Sequence, residues 1–162
     1  MKLKVLFAVV GVLISTSLYA QKGVEDGSKY GHGEDSIRCI RNLSLYREYA
    51  KNDNYERALP YWKIVFEECP KSSENIYIDG AKMYRKFAKE TNNPVRQEEM
   101  IDTLMLIYDR RLEHFGDPGN VLGRKAIDLL RFRRDDIEQI KKAYGFLSES
   151  IEIEGKESSY AV

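Results

Sequence analysis

The residues best equipped for chemistry in this chain are two cysteines, two histidines, a group of arginines and eleven tyrosines. Their spacing argues for binding rather than catalysis. No CxxC, HExxH, glycine-rich phosphate loop or nucleophile elbow occurs. His32 stands between Gly31 and Gly33, the setting of a solvated loop residue, and His114 follows Glu113 near a helix end, where the helix dipole favours it without any catalytic role. The acidic pairs Glu67-Glu68, Glu98-Glu99 and Asp135-Asp136 are sequence neighbours, so on a helix they diverge instead of converging on one substrate. No catalytic residue, metal ligand or cofactor is therefore expected. Arg124, Arg131, Arg133 and Arg134 form the densest basic cluster, able to hold a partner's carboxylates or a polyanionic glycan, although Asp128, Asp135 and Asp136 flank them and neutralise them locally. Phenols suit recognition surfaces. Most of the tyrosines are expected inside helix interfaces, with Tyr77 and Tyr84, seven apart, facing a groove.

Helices must position these groups. Only four prolines interrupt the chain, and apolar residues recur three or four apart, which marks an all-α protein. A first helix from Ser36 carries Ile37, Ile40, Leu43, Leu45, Tyr46 and Tyr49. After Asn52-Asp53-Asn54, a capping box of Asp53 and Glu56 should open a second helix bearing Ala58, Trp62, Val65 and Phe66, with Pro60 kinking it or delaying its start. A third helix spans about 74–90. Asn93-Pro94 opens a fourth that runs to Gly116, Asp117-Pro118 opens a fifth, and Asp135-Asp136 opens a sixth that reaches Ile151 or Ile153. The result is three antiparallel helix pairs.

Leu45, Tyr49, Ala58, Trp62 and Pro70 have the spacing of one tetratricopeptide repeat, and the segment NYERALPYWKIVFEECPKS resembles the second half of such a unit. Ala58 is small where two helices cross closely, Trp62 is expected to fill space against the first helix, and Pro70 stops the chain. Asn42 and Tyr46 depart from the pattern. Gly80 and Leu122-Gly123 match small positions of the second and third units, while Asp79 replaces a leucine and residues 92–97 lengthen the second. Through NLSLYREY and NIYIDGAKMY the chain is similar to exported tetratricopeptide proteins of Bacteroidetes. The resemblance implies a right-handed α-solenoid over about residues 36–157. It also implies a concave wall on which Leu43, Arg47 and Lys51, then Tyr77, Ala81, Tyr84 and Arg85, then Arg124 and Asp128 hold a partner peptide or protein. The expected function is that of a non-enzymatic adaptor of the cell envelope, with a glycan-uptake or glycan-binding accessory as the alternative. In an antiparallel hairpin the start of one helix lies beside the end of the other, so Cys39 and Cys69 either bridge or pack as two small hydrophobes.

The N-terminus sets the compartment. Lys2 and Lys4, the apolar run Val5–Ala20 and the small Ala20 before Gln21 make a secretory signal peptide over residues 1–20, too short for a membrane anchor and lacking a cysteine for lipid attachment. Its removal leaves a net charge of about −2, with no basic field to recruit nucleic acid. Residues 21–35 read as a flexible leader and 158–162 as a tail or the start of a further helix, whose absence would let copies pair through that end. Export to the periplasm or the exterior is expected.

Overall fold

The computed structural model describes residues 28–155; the expected signal peptide, 1–20, the first part of the expected leader, 21–27, and the expected tail, 158–162, lie outside the described residues. Among the described residues the chain forms six α-helices: α1 Gly33–Lys51, α2 Tyr55–Glu68, α3 Asn75–Glu90, α4 Pro94–Phe115, α5 Pro118–Phe132 and α6 Ile137–Glu154. None is long and apolar enough to cross a membrane. The protein is all-α, and its helices pack most closely in consecutive pairs, α1 with α2, α3 with α4 and α5 with α6.

Side-chain caps form at two of the six helix starts. The Asn93 side chain accepts from the Arg96 amide at 3.1 Å with Pro94 in the first turn, and Asp136 accepts from the Glu138 and Gln139 amides at 2.9 and 3.3 Å. Three expected starts differ; at α5, Pro118 opens the helix as expected but Asp117 takes a left-handed backbone (φ 62°) and its side chain caps nothing. α1 begins at Gly33, three residues ahead of Ser36, with Glu34 and Asp35 in its first turn where the helix dipole favours acids. The expected capping box of α2 does not form, because Asp53 takes a left-handed backbone (φ 53°) and its carboxylate accepts instead from the Tyr55 hydroxyl at 2.8 Å. α2 nevertheless begins at Tyr55, so Pro60 does not delay it.

Each pair is clasped where the start of its first helix meets the end of its second, which makes all three antiparallel. In the first pair the clasp is a disulfide, Cys39 to Cys69, with Cα atoms 6.2 Å apart. In the second, Arg111 of α4 forks onto Glu74 beside the start of α3, at 2.8 and 3.1 Å. In the third, the Ser150 hydroxyl donates to the Gly119 carbonyl at 2.6 Å.

The main core runs from Cys39 through Trp62, Tyr77 and Tyr84 to Tyr108 and Val121. A smaller cluster of Ala126, Leu129 and Ala143 holds the third pair. Trp62 reaches beyond its own pair. Tyr61, its neighbour, stacks on Tyr49 of α1 with ring centroids 5.9 Å apart, whereas Trp62 turns to α3, donating from Nε1 to the Ile76 carbonyl at 2.6 Å and meeting the Tyr84 ring at 5.4 Å. Gly80 is small for that reason: a Cβ there would stand 2.5 Å from Trp62 Cζ2. The tryptophan thus joins the first pair to the second.

Candidate functional site

A cleft of about 240 Å³ opens between α3 and α5 over the side of α4. α3 contributes Tyr77, Ile78, Ala81, Lys82 and Arg85, α4 contributes Tyr108 and Arg111, and α5 contributes Asn120 and Arg124. Four of these side chains are cationic and no carboxylate lines the cleft. An adjoining depression of about 320 Å³ shares Arg85 and Arg124 and adds Lys89, Arg131 and Asp128. The cleft is smaller than a typical cofactor pocket of about 300 Å³ or more, so its size suits a side chain or a short stretch of peptide.

The cations are held in place by acids that sit behind or beside them. Arg85 forks onto the buried Asp128, Nε to Oδ1 at 2.9 Å and Nη2 to Oδ2 at 2.7 Å, and the Tyr108 hydroxyl donates to the same carboxylate at 2.7 Å. Arg131 completes the ring around Asp128. Burial opposes the charge on Arg85, but the hydrogen bonds and field of Asp128 outweigh it, so its pKa is raised and the guanidinium stays charged. Burial, reinforced by the charge of Asp128, pushes the Tyr108 phenol above its ordinary 10.0. Arg111, 6% exposed, is oriented by Glu74 and by Asp117 at 3.7 Å. Arg124 donates to Asn120 at 2.7 Å, and Lys82 lies 3.4 Å from Asp79. Burial lifts the Tyr77 phenol to about 12, and its hydroxyl donates to the Pro70 carbonyl at 3.0 Å. At neutral pH the wall is therefore a fixed set of positive donors with neutral phenols beneath.

Of the residues expected on a binding wall, Tyr77, Ala81, Arg85 and Arg124 come together in this cleft, and Asp128 lies behind Arg85 and borders the adjoining depression. The others do not reach it. Leu43 is buried in the first pair, because its position on the α1 stripe faces α2 and not a groove. Tyr84 is 5% exposed and packs against Trp62 and Phe87, so it is a core residue. Tyr77 and Ala81 are also mostly buried and present only an edge to the cleft. Arg47 is exposed but reaches across to the Ser73 hydroxyl at 2.6 Å, and Lys51 is exposed at the end of α1.

The arginine cluster is neutralised differently from expectation. Arg131 uses Asp128, and Arg133 reaches back to Glu98 and Asp102 of α4, both at 2.6 Å, leaving Asp136 to cap α6. His114 packs against the Tyr77 ring at 6.1 Å between centroids. Among the described residues no cluster of His, Cys, Asp and Glu is placed to hold a metal ion.

Lys82 and Arg111 were not singled out by sequence. Arg111 had a signal: it lies four residues after Ile107 and three after Tyr108, on the apolar face of α4, where a cation needs a partner. Lys82 had none, being one exposed lysine among many. No protein family matches the chain, and neither a curated protein nor a solved structure is significantly similar to it.

Proposed function

We propose that the protein is an exported, non-enzymatic adaptor of the cell envelope. Its three pairs form a right-handed solenoid of tetratricopeptide-like units, and an acidic segment of a partner protein binds in the cleft between α3 and α5. In such a stack the first helices of the pairs line the inner wall, and seven of the nine residues around the cleft belong to the first helices α3 and α5. The single observation that carries the reading is the lining itself: Lys82, Arg85, Arg111 and Arg124 face one space with no carboxylate among them. Charge-assisted hydrogen bonds from such donors are about twice as strong as neutral ones, and Arg forks match carboxylates in pairs. Ala81 and the edge of Tyr77 add an apolar floor for the stem of an acidic side chain. The Cys39–Cys69 bridge supports export, since such bonds persist in oxidising compartments.

A photo-crosslinking residue placed at Lys82 or at Arg124 in living cells tests this. Both positions should trap the same discrete protein, and the same residue placed at exposed Lys63 on α2 should not. Identical trapping from Lys63, or no protein adduct with an oligosaccharide held in the cleft instead, would overturn the adaptor reading.

A further inference from the structure

The cleft runs on into the adjoining depression, and the two together repeat one arrangement of charge. Early residues of α3 and α5 line the cleft and later residues of both line the depression, so the two helices run side by side in one direction. Lys82 and Lys89 stand seven apart on α3, as Arg124 and Arg131 do on α5. Seven residues return a straight helix to within about 20° of the same face, after a rise of about 10.5 Å. All four side chains are exposed. They make two positive rungs, Lys82 with Arg124 in the cleft and Lys89 with Arg131 in the depression. Between the rungs Arg85 crosses from α3 to Asp128 of α5 at 2.7 Å. Among the described residues Asp128 is the one carboxylate that lines either space, and four cations surround it in the depression, so positive charge remains in excess there.

The separation of the rungs selects the backbone that serves both. Because Arg85 ties α3 to α5, a helix about 10 Å across cannot sink between them, whereas an extended chain can lie along the trench. In a β-strand the residues that share a face are two or four apart, about 6.8 or 13.6 Å, and residues three apart point to opposite faces. In polyproline II three residues complete a turn, so residues three apart share a face at about 9.3 Å, close to the spacing of the rungs. Ile127, half-buried between Arg124 and Arg131 on α5, gives a proline ring an apolar seat. We propose that the segment bound here is an extended polyproline II chain with acidic residues three apart, one carboxylate held at each rung. The inference rests on capture of an acidic segment in the cleft and adds the depression to that site as a second carboxylate position.

Two fluorescent proline-rich peptides of equal charge test this, one with its two glutamates three apart and one with them adjacent. Each is titrated into the protein at low salt, where screening is weak, and binding is read by anisotropy. The peptide with glutamates three apart should bind about tenfold more tightly, because adjacent glutamates cannot occupy both rungs. Lys89→Gln should remove most of that advantage, and Lys82→Gln should weaken both peptides. Equal binding of the two peptides would overturn the two-rung site, yet loss of both on Lys82→Gln would leave capture in the cleft standing. Binding of neither peptide, or tighter binding of a helix-forming peptide with glutamates seven apart, would also overturn the proposal, and the protein trapped through Lys82 would then judge the cleft by itself.

Discussion

Replacing Asp128 by alanine is expected to lower the stability of the protein by about 3 kcal/mol, because removal of one partner from a buried ionic group leaves the others uncompensated. The Asp128 carboxylate is 2% exposed and gathers Arg85, Arg131 and the Tyr108 hydroxyl, which come from three helices in two of the pairs. The lower part of the range for such breakages applies because the Arg85 and Arg131 side chains are 27% and 40% exposed and recover some hydration. Urea unfolding of Asp128→Ala should show the full drop. The double replacement Arg85→Met with Asp128→Leu should lose less than the single one, since apolar side chains of similar size can occupy a buried ionic site at little cost. Equal loss in both would mean that packing, and not the carboxylate, joins the second pair to the third. The effect bears on function, because Arg85 and Tyr108 line the cleft and Asp128 sets where they point.

The second large effect concerns the clasp of the first pair. Opening Cys39–Cys69 by reduction or by Cys→Ser at both positions frees a loop of 30 residues in the unfolded chain, worth about 3 to 4 kcal/mol in the loop-entropy description. The melting temperature should fall on the order of 10 °C in a domain of this size. Both sulfurs are buried, so the reduced protein should not expose them to alkylating reagents until it unfolds. Protein unfolded without reductant whose Cys39 and Cys69 both react as free thiols would refute the bond.

The elements of the fold were largely legible because their signals are local. Asn93-Pro94 and Asp136 cap the helices that they precede, and the stripes of α2 to α5 place most of their apolar residues inward, whereas Ile37 and Ile40 of α1 and Ile151 and Ile153 of α6 are exposed. Asp53 misled because a capping box needs an extended backbone, whereas Asp53 turns into the left-handed region. Trp62 shows the limit of periodicity, which says that a residue faces inward but not which neighbour it meets; the missing Cβ of Gly80, 18 residues later, decided that. The cleft was half legible. Arg85 and Arg124 could be placed on first helices, but the bond from Arg85 to Asp128 spans 43 residues, and no local pattern records it. Leu43 and Tyr84 were misassigned for a related reason: on helices packed from more than one side, the apolar stripe and the expected binding face overlap, and burial took them both.

The most direct test of capture in the cleft is the affinity of the protein for the partner trapped through Lys82, measured by calorimetry at low and high salt, for the wild type and for Lys82→Glu with Arg124→Glu. Both side chains are exposed, so the variant should remain folded. Binding should weaken by about tenfold or more on charge reversal, the loss of two charge-assisted contacts. Salt should weaken the wild type further than the variant. An affinity that neither the reversal nor the salt changes would contradict recognition of an acidic partner by this wall.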